Sequence, residues 1–262
     1  MGTAHLACLD GIVGPAAEAR IPVTDDGVLR GDGAFEVLRL YDGRPFALEE
    51  HLERIARSAA NLRLPIELAA LRSDVERLLA AAGSGPEHGC LRIVLTRAGR
   101  RLLLTESSPE WAQSIRLATV TYAPTRLLDG VKSLSYAANM LATRLAQERG
   151  ADEALLVTPH GRVLEAPTSS IFWAREGALA TPPLEDHILA SITRARVIEL
   201  SGAQERSCTL DELLAADELF LVSTTREAQA ISAVDDHRFQ NDGPIFTEAA
   251  RRLHERILAE LG

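Results

Sequence analysis

Apolar and polar positions alternate along several short stretches of the first hundred residues, and this pattern is typical of β-strands. It predicts strands over residues 35–40, 90–96 and 101–105. Residues 42–43, Asp-Gly, are a hairpin turn signal, so residues 44–48 are expected to return beside the first strand. The pattern therefore indicates a sheet in this part of the chain.

Helical spacing of apolar residues marks two stretches among these strands. Residues 49–64 carry apolar side chains on one face, at Leu52, Ile55, Ala59 and Leu62. Residues 69–82 show a second apolar face, formed by Leu71, Val75, Leu78 and Leu79. Both stretches are predicted to be amphipathic helices.

The second half of the chain predicts more strands and helices in alternation. The predicted strands cover residues 115–122, 153–158, 162–165, 171–173, 178–184 and 217–223. The predicted helices cover residues 136–149, 188–200 and 247–261. We interpret residues 108–114 as a linker between a small N-terminal α/β domain, residues 1–107, and a larger C-terminal α/β domain, residues 115–262.

The composition of the chain argues against membrane-spanning, disulfide-rich and nucleic-acid-binding proteins. The chain has 262 residues, 46% of them hydrophobic, which allows a sizeable core, and no apolar run approaches the ~18 residues that a membrane span needs. Three scattered cysteines, Cys8, Cys90 and Cys208, argue against disulfides or a metal site and favour a reducing, cytoplasmic setting. The N-terminus has no signal-peptide pattern, and a net charge of −9 argues against nucleic acid as a partner.

Lys132 is the only lysine, whereas the other 27 of the 28 basic Lys and Arg residues are arginines. Arginine serves wherever charge is enough, but it does not lose its proton near neutral pH to attack a carbonyl. A lysine amine can, once desolvation or a neighbouring cation lowers its pKa. Lys132 is thus a candidate Schiff-base nucleophile. The alternative is that it is a solvent-exposed surface lysine in a chain whose composition favours arginine.

Several other residues have chemistry that would complement such an amine. Arg54 and the start of the helix near Ser191 and Thr193 are candidates for binding an anion, although ordinary N-capping would also explain Ser191. Glu165 precedes a Ser/Thr loop. Pyridoxal phosphate needs an amine, a phosphate site and an acid at its ring nitrogen, so these residues together suggest that cofactor.

The order of the motifs resembles the class IV aminotransferases, pyridoxal-phosphate enzymes of fold type IV. This family includes branched-chain aminotransferase, D-amino-acid aminotransferase and aminodeoxychorismate lyase. The resemblance covers almost the whole chain and rests on the stretches RGDGAFEVLRLYDGRPFALEEHLERI, VKSLSYAANMLA, GADEALLVTPHGRVLEAPTSSIFW, ITRARVIEL and ELFLVSTTREA. It implies an α/β (α+β) fold of two domains, with the cofactor lysine carried by the larger C-terminal one.

Carried over residue by residue, the resemblance assigns the cofactor contacts. It implies that Lys132 forms the Schiff base and moves protons, that Glu165 pairs with the pyridine nitrogen, and that Tyr136 lies near the ring. The remaining contacts to the phosphate and the ring fall on Arg54, Ser169, Ser170, Ile192, Thr193 and Thr224.

The substrate contacts implied by the resemblance are fewer. Phe35 stands where the family places an aromatic side chain in the substrate pocket, and the backbone of Thr225 would contact a substrate carboxylate. Arg97 or Arg100, in an arginine-rich hairpin tip, is a further candidate for that carboxylate, with simple solubility as the alternative. This tip is shorter than the carboxylate-binding loop of the D-amino-acid enzymes. A second departure from the family pattern lies in the Ser/Thr loop, where Ser170 stands in place of the usual asparagine.

The resemblance implies an aminotransferase acting between an amino acid or amine and a 2-keto acid. D-amino acids and branched-chain amino acids both remain open as substrates. Aminodeoxychorismate lyase, which releases pyruvate and p-aminobenzoate, is the alternative, because RGDGAFE and KSLSY are shared with lyases whereas residues 223–227 are closer to transaminases. The family is usually a homodimer, and this is the expected assembly.

Overall fold

A computed structural model of the chain describes residues 5–83 and 88–262. Its contacts divide the chain into two compact units. The first contains residues up to Pro109, the segment Gly130–Tyr136 and Leu261, and the second contains Glu110–Asp129, Ala137–Glu260 and Gly262. None of the helices in the described ranges is long and apolar enough to cross a membrane.

The first unit combines one antiparallel sheet with helices. Its strands are β1 (Leu6–Leu9), β2 (Ile12–Pro15), β3 (Gly33–Tyr41), β4 (Arg44–Pro45), β5 (His88–Thr96) and β6 (Arg101–Ser107). Its helices are α1 (Asp26–Arg30), α2 (Leu48–Leu62) and α3 (Leu68–Ala82). The strand order is β2-β1-β6-β5-β3-β4, and α2 and α3 contribute to one core with the inward residues of β3 and β5.

The predicted hairpin and helices of this unit are confirmed. Asp42 and Gly43 have φ angles of 50° and 77°, as a two-residue type I′ turn requires. The returning strand β4 is shorter than predicted. Leu52, Ile55 and Ala59 of α2 are fully or almost fully buried, as their spacing predicts.

The segment that carries Lys132 joins the first unit through β3. Phe35 N donates to Lys132 O at 3.0 Å, and Leu134 N donates to Gly33 O at 2.9 Å. These backbone bonds explain why the lysine segment groups with the N-terminal strands, which differs from the prediction that the C-terminal domain carries it. The predicted domain limits themselves stay a prediction.

The second unit is built on an eight-stranded mixed sheet. Its strands are β7 (Ser114–Thr121), β8 (Glu153–Val157), β9 (Ser170–Arg175), β10 (Ala178–Thr181), β11 (Gln204–Glu205), β12 (Glu218–Ser223), β13 (Glu227–Val234) and β14 (His237–Arg238). Its helices are α4 (Ala137–Glu148), α5 (Ile192–Ser201), α6 (Leu210–Leu214) and α7 (Pro244–Leu261). The strand order is β11-β10-β9-β12-β13-β7-β8, with β14 beside β13.

Two differences from the predicted elements affect the candidate site. The helix expected over 188–200 begins at Ile192, because the Ser191 side chain caps it by accepting a hydrogen bond from Arg194 N. Residues 162–165 do not form a regular strand: Val163 makes an isolated bridge to Val157. The chain therefore reaches Glu165 in an irregular segment beside β8, where Leu156 N donates to Glu165 O at 2.9 Å.

Candidate active site

The backbone of Lys132 is fixed on both sides within the first unit. Its N–H donates to Ser58 Oγ at 3.1 Å, and its carbonyl accepts from Phe35 N. Ser58 lies in α2 and is fully buried. The lysine is therefore mounted between β3 and α2, on regular elements that hold its main chain in place.

The amine of Lys132 lies against two aromatic rings. Its Nζ is 4.4 Å from the centroid of Phe35 and 5.9 Å from that of Tyr136. The two rings meet edge to face, with centroids 5.2 Å apart and an interplanar angle of 79°. Ring faces attract a cation while excluding water from one side of it. Two predicted site residues, Phe35 and Tyr136, thus lie beside the amine of a third, Lys132.

Arg54, the predicted phosphate arginine, belongs to a buried charge cluster. Its Nε donates to Glu36 Oε1 at 2.7 Å, and its Nη2 donates to Oε2 at 2.6 Å. His51 Nδ1 is 2.8 Å from the same Oε2. Sequence reasoning missed Glu36 and His51. The available signal was a carboxylate at an inward position of the alternating strand, opposite a helix with His and Arg three residues apart.

Burial and charge act against each other in this cluster. Burial alone would raise the pKa of Glu36, but the charge of Arg54 and the hydrogen bonds from Arg54 and His51 lower it to about 2. Burial lowers the pKa of His51, and the neighbouring Glu36 only partly offsets this effect. A neutral His51 therefore donates through Nδ1 to an ionised Glu36.

In the second unit, the N-terminus of α5 has the features of an anion site. Ser191 Oγ accepts from Arg194 N at 3.2 Å, and Ala195 N donates to Ser191 O at 3.0 Å. Among the hydrogen bonds of the described residues, none uses the amides of Ile192 or Thr193. Thr193 Oγ1 is also buried without a partner in this part of the chain. Amides at a helix start, with a hydroxyl beside them, suit a phosphate.

Other predicted cofactor residues lie at the ends of two neighbouring strands in the interior of the second unit's sheet. Ser170, at the start of β9, pairs with Val222 near the end of β12, which places residues 169–170 and the turn with Thr224 at the same end of these strands. Ser170 Oγ is buried and, among the described residues, has no hydrogen-bond partner. Ser169 is likewise buried, whereas Thr224 is half-buried. The Ser170 hydroxyl at this end of the strands is therefore a buried polar group that no hydrogen bond of the described residues uses.

Glu165 is ordered by a backbone contact. Its Oε1 accepts from Leu189 N at 3.1 Å, which sets the direction of the carboxylate. Burial, followed by the charge of Glu165, raises the pKa of the Tyr122 phenol. A half-buried carboxylate held in this way can pair with a protonated ring nitrogen.

Arg97 and Arg100 are engaged inside the first unit. Arg97 makes a bidentate pair with Asp32, at 2.8 and 3.0 Å, and also donates to the carbonyls of Leu62 and Arg63. Arg100 Nη1 donates to Asp10 at 2.7 Å. These contacts give the two arginines a role in fixing the hairpin tip, so their assignment to a substrate carboxylate gains no support.

The similarity to known proteins is extensive. The family model for class IV amino-transferases matches residues 33–234. D-alanine aminotransferase from Bacillus licheniformis is 30% identical, over 93% of this chain and 94% of that protein. The bifunctional aminodeoxychorismate lyase / D-amino acid transaminase of Mycobacterium tuberculosis is 29% identical, over 96% of this chain and 98% of that protein.

A solved structure shows that the fold is shared as well. The branched-chain aminotransferase of Thermoproteus uzoniensis, crystallised with norvaline, superposes with a TM-score of 0.87 at 30% identity, covering 98% of this chain and 96% of that one. The family, the fold class and the cofactor predicted from the sequence are confirmed. This chain belongs to the class IV aminotransferases, a family of enzymes that use pyridoxal 5′-phosphate.

Proposed function

We propose that the protein transfers an amino group between an amino acid and a 2-keto acid, with Lys132 as the amine that binds pyridoxal phosphate. The observation that carries this proposal is the setting of Lys132, whose main chain is fixed at both ends and whose Nζ lies 4.4 Å from the Phe35 ring centroid. A surface lysine without a function would not need a main chain that is fixed by hydrogen bonds on both sides.

The described residues fit this cofactor. Ser170 Oγ and Thr193 Oγ1 are buried oxygens without partners among the described residues, which is costly in a protein unless a ligand or water completes them. We assign the phosphate to Arg54, Thr224 and the amides of Ile192 and Thr193, and the ring nitrogen to Glu165. When bound, pyridoxal phosphate supplies an electron sink for the charge left on the substrate Cα.

The residues of this chain then have separate tasks. The Lys132 amine would hold the cofactor. Once displaced by the substrate amine, it would take the proton from the substrate Cα and deliver it to the cofactor side of the C–N bond, so that water can release the keto acid. Phe35 and Tyr136 keep water from one side of that amine. Thr225 would offer its backbone to the substrate carboxylate.

D-amino acids and branched-chain amino acids are the two substrate classes that we propose. Two relatives support the first class, since their names specify D-alanine or D-amino acids, and the Thermoproteus enzyme supports the second. With aminodeoxychorismate as the substrate, removal of the proton next to the amino group by Lys132 would leave an electron pair on that carbon, whose relocation would expel pyruvate and leave p-aminobenzoate. The bifunctional mycobacterial relative supports this alternative lyase activity. A homodimer in the cytoplasm completes the proposal.

The test is the half-reaction without a keto acid. Purified protein is loaded with pyridoxal phosphate, and the visible band of the lysine-bound cofactor is followed after adding D-alanine, D-glutamate, L-leucine or L-glutamate. Loss of the band with one donor, and formation of its keto acid, identifies a transaminase and its substrate class. A stable band with all donors, together with p-aminobenzoate from aminodeoxychorismate, identifies the lyase.

Lys132→Ala and Lys132→Arg are the matched variants for this test. Arginine keeps the charge but cannot form the covalent link. Both variants should lack the visible band of the lysine-bound cofactor. Covalent retention of the cofactor or turnover by either variant would contradict the assignment of Lys132.

A further inference from the structure

The linker residue Trp111 contacts the turn that carries Thr225. Its indole Nε1 donates a hydrogen bond of 3.1 Å to Thr225 O, and its ring centroid is 4.3 Å from the guanidinium carbon of Arg226. Both contacts fall on residues 224–226, the loop between β12 and β13. All of these residues belong to the second unit.

The peptide between Thr225 and Arg226 is held at both ends. Its carbonyl accepts from Trp111, and its N–H donates to Ser223 Oγ at 3.4 Å. Glu227, which follows, has a φ of 58°, as expected where a three-residue hairpin loop ends. Since each residue has only two soft backbone dihedrals, fixing this peptide restricts the direction of the preceding one, which bears the Thr225 amide.

The side chain of Arg226, which lies against the indole ring, is held in place by hydrogen bonds. It is 1% exposed, and its Nη2 donates to Glu153 Oε2 at 2.7 Å. Its Nη1 donates to Gln229 Oε1 at 2.9 Å, and Gln229 Nε2 donates to Ala112 O at 2.8 Å. The linker is thus tied to this turn by the indole N–H, the indole face and the Ala112 carbonyl.

Core filling does not account for Trp111. The residue is 39% exposed and borders a cavity of about 350 Å³ that Met140 and Thr143 also line. A tryptophan that served only to exclude water from a core would be packed on all sides. Its specific contacts are those to the Thr225–Arg226 turn.

We propose that Trp111 is a positioning residue for substrate recognition. By fixing the Thr225–Arg226 peptide and the Arg226 cation, it aims the Thr225 amide at the carboxylate of the amino acid or keto acid. This inference rests on the proposed function, in which the Thr225 backbone receives that carboxylate. It predicts that Trp111 affects the binding of carboxylates and leaves the binding of the cofactor unchanged.

The test compares Trp111→Phe with the wild-type holoenzyme. Phenylalanine keeps a ring over Arg226 but removes the N–H that bonds to Thr225 O. We expect the KM of the amino donor, and the inhibition constant of propionate as a simple carboxylate, to rise about tenfold. The kcat should change less than about twofold, and the dissociation constant of pyridoxal phosphate should stay at the wild-type value. Leu127→Ala, at a side chain that is 93% exposed in the same unit, is the control.

A second measurement covers the case in which the variant does not fold. The chain has two tryptophans, and Trp173 is 1% exposed, so the solvent-sensitive part of the emission comes from Trp111. Propionate added to the wild-type holoenzyme should change this emission. Unchanged emission, or a folded Trp111→Phe with wild-type KM and inhibition constant, overturns the inference. Failure of the proposed function is distinct, because the wild-type holoenzyme would then convert none of the amino donors, whether or not it shows the cofactor band.

Discussion

Arg54 binds Glu36 side-on, with Nε 2.7 Å from one carboxylate oxygen and Nη2 2.6 Å from the other. Glu36 has no exposed side-chain surface, and His51 Nδ1 shares one of its oxygens. Because two nitrogens are used in this pair, the plane of the guanidinium is fixed before any anion binds. The buried carboxylate thus orients the arginine that we assign to the cofactor phosphate.

Replacing Glu36 with glutamine should weaken both the fold and the phosphate site. The amide leaves the Arg54 charge buried without its counter-ion, so we expect the free energy of unfolding to fall by about 3 kcal/mol. The dissociation constant of pyridoxal phosphate should rise, whereas that of pyridoxal, which lacks the phosphate, should not. Isothermal titration with both compounds measures this difference. Glu53→Gln, on the same helix with a 68% exposed side chain, should behave like wild type.

The same cluster predicts how stability depends on pH. His51 has a folded pKa below its ordinary 6.5, so below that pH the unfolded chain binds a proton that the folded one does not, and stability falls as the pH drops. Glu36 adds a second loss between its ordinary 4.5 and its folded value of about 2. Urea unfolding midpoints from pH 8 to pH 3 measure the loss due to His51 and the first part of the loss due to Glu36. His51→Gln should reduce the loss of stability near pH 6.5 and keep the loss below pH 4.5. An unchanged loss of stability near pH 6.5 would contradict this account.

Much of the fold could be predicted because its signals are local. The Asp42-Gly43 turn and the apolar stripe of α2 each depend on a few neighbouring residues, and both are confirmed. The attachment of Lys132 to the first unit depends instead on backbone bonds to β3, almost a hundred residues away in sequence, for which the sequence has no periodic signal. Strand β13 was not predicted either; it lies between β12 and β7, and its pairing with β7 joins segments that are far apart in sequence.

The candidate site shows the same division. The amine, the carboxylate Glu165 and the Ser/Thr positions were proposed from residue type and motif order, and their roles stay proposals. Glu36 and Trp111 could not be proposed in this way, because their contacts with Arg54 and with Thr225 O form only in the folded chain. Arg97 was proposed from local charge density, and in the structure it makes a bidentate pair with Asp32, which residue type alone did not reveal; its role in substrate binding stays a prediction.

Gly33 lies where the lysine segment meets β3, and a side chain there would separate them. A Cβ built at Gly33 would be 2.3 Å from Leu95 O and 2.5 Å from Leu134 Cδ1. Gly33→Ala should therefore displace residues 132–134, lower the melting temperature by several degrees and reduce formation of the cofactor band. Gly14→Ala, where nothing lies within 4 Å of the new Cβ, is the matched control in the same unit. Equal melting temperatures and bands for the two variants would show that the segment does not depend on this contact.

The substitution Thr193→Val tests whether the Thr193 hydroxyl serves to bind a ligand or to stabilise the fold. Valine matches the shape of threonine and removes Oγ1, which is buried and has no partner among the described residues, so the apoprotein should be as stable as wild type or more stable. If that hydroxyl binds the phosphate, the affinity for pyridoxal phosphate should fall about tenfold or more. Thr181→Val is the opposite case, since Thr181 Oγ1 is buried and donates to Ile171 O at 2.8 Å, and it should lose stability but keep cofactor affinity. Thermal unfolding of the apoproteins and cofactor titration provide both values. A Thr193→Val protein that loses stability and binds the cofactor normally would assign Thr193 to the fold and remove it from the phosphate site.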